Sequence, residues 1–383
     1  MTDNTDRIMV SDLSYDDQEI EAVLEVLKSE WLTMGPKTIK FEEMLSSFIG
    51  SKHVVATSNG TASLHLSLLS LGIGPGDEVI VTPLSFVASA NSILYTGAKP
   101  VFVDVDPNTF NIDPTLIESS ISDRTKAILP VHLAGLPAEM DEINRIAKDN
   151  EIRVIDDAAH AIGAKYKNQS IGTLADATGY SFFSNKNLSV GEGGAISTNN
   201  SETAAKLRLL RSHGLTKSTW SRHHDKEEES KDQLYDMIEL GYNYRITEIN
   251  AALGIVQLAK LANFNEQRKA IYELYKDLLS NLNVALQEIP QYVHHSHHVL
   301  PVLVQKGTRS KVRQSMENAG IGTSIHYTPI HKFTYYQEHG YSDVYCPFAE
   351  DIGNRVVTLP LHQKLTEKDV HYIVSKLKSI LAE

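Results

Sequence analysis

Residues 179–198 read "GYSFFSNKNLSVGEGGAIST". An apolar run ends at Phe182-Phe183, a lysine follows at Lys186 in a turn-rich segment, glycines crowd Gly191 to Gly194, and a second apolar run resumes at Ala195. A lysine between two strands ordinarily stands in solvent, where its charge stays hydrated. Here it is hemmed in by strand on both sides and by glycine, which lets backbone bend around another body or approach it closely.

Outward from this stretch, short β-rich runs recur: "HVVAT" (53–57), "EVIVT" (78–82), "PVFVDV" (100–105), "KAILPVH" (126–132) and "RVIDD" (153–157). Helix-length segments separate them, among them "TASLHLSLLSLG" and "AEMDEINRIAKDN". Short, continuously apolar strands alternating with helices predict an α/β fold with a mainly parallel sheet covered on both faces. Ligands of such sheets gather beyond the carboxyl ends of the strands, so the residues just after each apolar run are the candidates for chemistry. Ahead of the first strand, "DDQEIEAVLEVLKSEW" and "GPKTIKFEEMLSSFIG" have helical spacing, the second with Pro36 near its first turn.

Past residue 200 the pattern changes. "TAAKLRLLRSHG" reads as a helix ending at Gly214, and "LTKSTWSRHHDKEEESKDQ" as a polar, charged loop. "ITEINAALGIVQLAKL" carries Ile246, Ile249, Leu253 and Val256 at steps of three and four, the helical period. Beyond it, helices and strands such as "VLPVLV" predict a smaller α+β unit. The expected division is a large domain over 1–250, with 1–35 as its N-terminal segment, and a small domain over 251–383.

Three strand ends carry candidate groups. After "HVVAT", Ser58 or Asn59 can cap a helix whose first amides, at Gly60, Thr61 and Ala62, would seat an anion. An ordinary capped helix is the commoner use of these residues, and on this stretch alone it is the favoured reading. After "RVI" come two carboxylates, Asp156 and Asp157, costly to bury without a cationic partner. Alternation along the strand turns one into the crevice and the other away. After "GYSFFS" comes Lys186, which loses basicity if partly desolvated and becomes a nucleophilic amine. A helix N-terminus suits phosphate, a buried carboxylate suits a ring cation, and an amine suits an aldehyde. Together they match pyridoxal phosphate. "GIGPGDE" at 72–78 looks like a phosphate loop but precedes a strand, and reads as a turn.

The remaining composition narrows the classes. A net charge of −12 argues against nonspecific binding to nucleic acid or to an anionic membrane. The single cysteine, Cys346, excludes an intramolecular disulfide framework. The N-terminus is polar and acidic, unlike a signal peptide, and no apolar run approaches the roughly 20 residues that span a bilayer. A cytoplasmic protein is expected. "HHSHH" at 294–298 invites a zinc reading, but alternation would split its histidines and no cysteine or carboxylate pattern accompanies it, so no metal is expected.

The motifs "VIDDAAHAIGA", "SFFSNKNLSVGEGGAISTN", "LRSHGL" and "LGYNYRITEINAALG", supported by "WLTMGP", "GIGTSIHYTPIH" and "LPLHQKLTEKDV", resemble the nucleotide-sugar aminotransferases, the DegT/StrS-type family within the aspartate-aminotransferase fold. The resemblance runs from about residue 15 to the C-terminus. It implies a three-layer large domain of the pyridoxal-phosphate transferase type (fold type I), a small C-terminal domain, and a homodimer with active sites at the interface. Lys186 would hold the cofactor aldehyde as a Schiff base, and Asp157 would keep the pyridine nitrogen protonated. His160 would lie against one face of the ring and Phe86 towards the other. Gly60, Thr61 and Ser181 would bind the phosphate, joined by Asn243 from the partner subunit.

Thr33, Lys217, Arg222, His298, His326 and His331 would meet the nucleotide sugar. L-glutamate would be the amino donor and a nucleotide-linked keto-deoxysugar the acceptor. "GEGG" and the "DAAH" histidine resemble members acting at C4 more than those acting at C3. Many relatives have His-Pro or Tyr-Pro before the lysine loop, where this chain has Phe183-Ser184-Asn185. A sugar dehydratase of the same family would replace the lysine with histidine, and a non-catalytic regulator would bind cofactor without transferring an amine.

Overall fold

The structure, a computed structural model, describes residues 7–217, 220 and 235–382. Its first elements are helices α1 (Asp17–Lys28) and α2 (Pro36–Ile49). A capping box at Asp16 starts α1, and Pro36 in the first turn of α2 needs no amide partner there. Then come β1 (His53–Thr57), α3 (Gly60–Ser70), β2 (Glu78–Val81), α4 (Ala88–Tyr95), β3 (Lys99–Phe102), β4 (Thr125–Leu129), α5 (Met140–Asp149) and β5 (Arg153–Asp157). Short strands β6 (Lys165–Tyr166) and β7 (Gln169–Ser170) precede β8 (Ala177–Ser181), β9 (Gly194–Thr198) and α6 (Ser201–Arg211).

The central sheet has seven strands in the order β1-β9-β8-β5-β4-β2-β3. From β8 to β3 neighbours run parallel, while β9 is antiparallel to both β1 and β8. Both faces are covered, as the unbroken apolar strands require. Val54, Ile80, Ile128 and Val154 share one core with Phe41 and Leu45 of α2 and Ile143 and Ile146 of α5. Their sequence neighbours turn the other way. Val79, Val81 and Ile155 pack with Leu68 of α3 and Ile93 of α4, and Val55 with Leu66 and with Leu207 of α6. Each such fully buried side chain contributes about 1.5–3 kcal/mol. The period of two along each strand thus produces three layers.

Helix α7 (Glu248–Leu279) is 32 residues long, and the 250/251 division lies in its first turn. Its front half packs Ala251, Leu258 and Leu261 into the first core. Its rear half places Tyr272, Tyr275 and Leu279 in a second core, against β12 (Leu300–Leu303), β13 (Val356–Leu359) and the last helix, α10 (Glu367–Leu381). Between them lie β10 (Ala285–Leu286), β11 (Val293–His294), α8 (Arg309–Asn318) and α9 (Pro347–Arg355). Strands β10, β12 and β13 form one small sheet, and β11, β6 and β7 another. The start of α2 is tied to α7 by Glu248, whose Oε1 accepts from Gly35 N (2.8 Å), Thr38 N (2.8 Å) and Thr38 Oγ1 (2.7 Å) while Oε2 accepts from Lys37 N (2.7 Å). Among the described residues no helix is long and apolar enough to cross a membrane.

Candidate active site

A cleft of about 830 Å³ opens beyond the carboxyl ends of β5 and β8. The N-terminus of α3, residues 85–88, the loop from Ser181 to Glu192 and residues 324–328 contribute to its walls. This is the place the parallel-sheet rule points to.

The two carboxylates ending β5 part as strand alternation requires. Asp156 turns away from the cleft, with Oδ2 3.4 Å from His132 Nε2 and 3.3 Å from Thr178 Oγ1. Asp157 lines the cleft at 5% exposure. Its Oδ2 accepts from Ser89 Oγ at 2.6 Å and its Oδ1 from Ala159 N at 3.1 Å. Burial nevertheless pushes its carboxyl above the ordinary 3.8, against the pull of these donors, Lys186 and His132. Two neutral donors do not replace a counter-charge in a low dielectric.

Lys186 is half-buried in the same cleft. Desolvation brings its amine down from 10.5 to about 8, with Asp157 opposing the fall. A usable fraction of free base is therefore present near neutral pH, whereas an ordinary lysine has almost none. The loop is held by Lys186 N donating to Phe183 O and Val190 N to Phe182 O, both at 2.9 Å.

The third strand end carries the expected helix cap. Asn59 is the cap, accepting from Ala62 N at 2.8 Å, so Ala62 is not a free donor. Gly60 and Thr61 keep the first two amides of α3 at the cleft wall, beside the half-buried Ser181. A Cβ at Gly60 would lie 2.8 Å from Ser181 Cβ, so only glycine permits this approach.

His160 is buried at the cleft floor, and burial, then Lys186 and His326, hold it well below 6.5. Its Nδ1 accepts from Ala134 N at 3.2 Å, which assigns the ring proton to Nε2. Nε2 therefore donates to Tyr327 Oη, 3.0 Å away. Burial pushes the Tyr327 hydroxyl above its usual value of 10. Behind His160 stands His298, ring centroids 4.4 Å apart.

The structure thus brings Gly60, Thr61, Phe86, Asp157, His160, Ser181, Lys186 and His326 to one cleft. His326 Nδ1 is 2.9 Å from Thr358 Oγ1, and burial takes its ring down to about 4. Two expected substrate contacts are corrected. His331 is fully buried, bonded to Glu350 at 3.1 Å beside Phe102, and has no surface for a ligand. His298 is buried behind His160, outside the cleft lining. Its neighbours His295 and His297 pack instead on Tyr272.

Thr33, half-buried just before α2, and the exposed Lys217 and Asn243 do not line the cleft of their own chain. Arg222 lies outside the described residues. Sequence reasoning missed Ser89 and Tyr327. For Tyr327 a signal existed, since it directly follows His326 in the "HYTPIH" segment.

These groups fit pyridoxal phosphate. An undercompensated buried carboxylate meets a pyridinium, free amides at a helix start beside a hydroxyl meet a phosphate, and a depressed amine meets an aldehyde.

The comparisons with known proteins agree. Residues 14–378 match the model of the DegT/DnrJ/EryC1/StrS aminotransferase family. The chain is 43% identical over 373 residues to the uncharacterized protein MJ1066 of Methanocaldococcus jannaschii, covering 96% of each. It is 38% identical to the spore coat polysaccharide biosynthesis protein SpsC of Bacillus subtilis, covering 95% of this chain and 94% of that one. It superposes on the putative sugar aminotransferase Spr1654 from Streptococcus pneumoniae, solved in a form with pyridoxamine phosphate, with a TM-score of 0.91, 31% identity and 98% coverage of both chains. The chain belongs to the DegT/DnrJ/EryC1/StrS aminotransferase family and is a pyridoxal-phosphate-dependent sugar aminotransferase.

Proposed function

We propose that the protein moves an amino group from L-glutamate to the C4 ketone of a nucleotide-linked keto-deoxysugar, in the cytoplasm, for amino-sugar and polysaccharide biosynthesis. The observation that carries the catalytic reading is the Lys186 amine, brought down to about 8 beside Asp157 at the carboxyl ends of β5 and β8. Likeness to a polysaccharide biosynthesis protein supports the pathway class. The resemblance alone supports glutamate and the nucleotide, and the "GEGG" and "DAAH" segments support C4.

Bound pyridoxal phosphate supplies the electron sink for the pair left when a Cα proton is removed. Lys186 Nζ would hold the cofactor aldehyde until the donor's own amine displaces it, and the freed amine would then take the donor's Cα proton as a base and deliver a proton as an acid. Asp157 would hold the proton on the ring nitrogen. The Gly60 and Thr61 amides and Ser181 Oγ would anchor the phosphate, with Asn243 supplied by a second copy in a homodimer. His160, kept neutral, offers an N–H without adding positive charge. Phe86 and Phe183, both exposed in this chain, add apolar surface to the cleft.

The test is amine transfer from L-glutamate to a panel of nucleotide-linked 3-keto and 4-keto sugars, followed by 2-oxoglutarate release. Transfer to 4-keto acceptors is expected; a preference for 3-keto acceptors would reverse the regiochemistry. Lys186→Ala is expected to lower turnover at least about 10³-fold and to abolish the absorbance of the lysine-bound aldehyde. A yellow, active variant sinks the role of Lys186.

A further inference from the structure

Asn187, next to the reactive lysine, is buried, and its amide is fully committed. Its Nδ2 donates to Ser296 O at 2.7 Å and to Asn265 Oδ1 at 2.8 Å. A backbone carbonyl only accepts, so Asn187 must turn its oxygen towards His298 Nδ1, 3.0 Å away. His298 Nδ1 therefore carries the hydrogen, and its Nε2, left as an acceptor, is buried without a partner. Burial, then His160, Lys186, Arg268 and His326, keep this ring well below 6.5.

The same knot reaches His160 by two further routes. Ser296 Oγ donates to His160 O at 2.7 Å. His298 N donates to Ala134 O at 3.0 Å, and Ala134 N in turn donates to His160 Nδ1. Gly135, at φ +100, makes the crossing possible, because a Cβ there would lie 2.2 Å from Ser296 Oγ. Ala134 itself sits at φ 60, a region that costs a non-glycine residue about 1–2 kcal/mol. Three segments far apart in the chain are thus tied behind one imidazole.

We propose that Asn187 and His298 are positioning residues for the transfer reaction. They anchor the loop that carries Lys186 and back His160 in the tautomer whose Nε2–H points at Tyr327, which leaves the Tyr327 hydroxyl proton to be donated into the cleft. Leucine at 298 would fill space but strand the Asn187 oxygen, and a buried unpaired acceptor costs about 1–3 kcal/mol. An imidazole is the group that supplies both the donor and the flat ring. The proposal rests on Lys186 as the cofactor-binding amine.

The experiment compares Asn187→Ala, His298→Leu and His298→Asn, the last placing an amide N–H near the site of Nδ1, with wild type and with Lys186→Ala. The first readout uses cofactor-free protein: the rate at which an acylating reagent modifies position 186 is followed from roughly pH 6 to 10. Wild type should titrate near 8. Asn187→Ala and His298→Leu should titrate higher, because a loosened loop lets water reach the amine and removes the desolvation that depresses it.

In the loaded enzyme both should lose at least about 10-fold in kcat with little change in sugar KM. His298→Asn should recover the wild-type midpoint and most of the turnover. Unchanged midpoints with unchanged kcat would overturn the proposal. A raised sugar KM at constant kcat would also overturn it, making His298 a substrate contact. If Lys186→Ala keeps the lysine-bound absorbance, the earlier assignment of the amine has failed instead.

Discussion

The junction of α2 with α7 and the floor of the cleft each bury a carboxylate, and they treat it differently. Glu248, 2% exposed, receives four donors spread over both oxygens. Asp157, 5% exposed, receives two, and its carboxyl is pushed upward. Three of the Glu248 donors are backbone amides at the start of α2, where the helix dipole also favours a negative charge. That carboxylate is complete within one chain and holds architecture. Asp157 is undercompensated within the chain, and under the proposed function the ring nitrogen of the cofactor would supply what it lacks. The difference between them lies in the number of donors each receives, since their exposure is nearly equal.

The contrast can be broken in steps. Asp157→Ala should lower turnover by about 10²–10³-fold, measured as kcat with saturating cofactor, because the charge opposite the ring nitrogen is lost. The sign of the accompanying titration also follows. A carboxylate stabilises the ammonium form of Lys186, so its removal should move the lysine midpoint below about 8. A midpoint that rises would mean the two groups do not face each other.

Glu248→Gln should leave chemistry nearly intact while costing about 2 kcal/mol of stability in denaturant unfolding, since charge-assisted bonds become neutral ones and one oxygen becomes a donor facing donors. Thr38→Val removes one of the four donors and should cost about 1 kcal/mol, the smallest of these effects. Should Glu248→Gln cut kcat as deeply as Asp157→Ala does, the division between architecture and chemistry fails.

Much of the sheet is visible in the chain because its strands are buried on both faces. "HVVAT" and "RVIDD" coincide with β1 and β5 residue for residue. The direction of β9 is not visible, since an apolar run such as "GAIST" suits either sense and the choice is made by its neighbours β1 and β8. The helix read to Gly214 stops at Arg211. Ser212 there bridges to Asn243, and Gly214 takes φ +70 against the backbone of Glu239.

Within the site, Asp157 and Lys186 were legible because strand ends and alternation are local properties. His298 and His331 were not, because likeness to a motif gives position along the chain and not depth beneath the surface. Ser89 and Asn187 acquire meaning only through partners 68 and 111 residues away, and no spacing rule reaches that far.

The antiparallel sense of β9 has one more consequence. A parallel successor to β8 would demand a crossover helix, and the residues between would hang from a long connection. Because the chain instead doubles back, Lys186 rides a short span clamped at both feet by adjacent, hydrogen-bonded strands. Any insertion or deletion between Phe182 and Gly193 must then be absorbed by the span itself, so a change in its length would move Lys186 relative to Asp157.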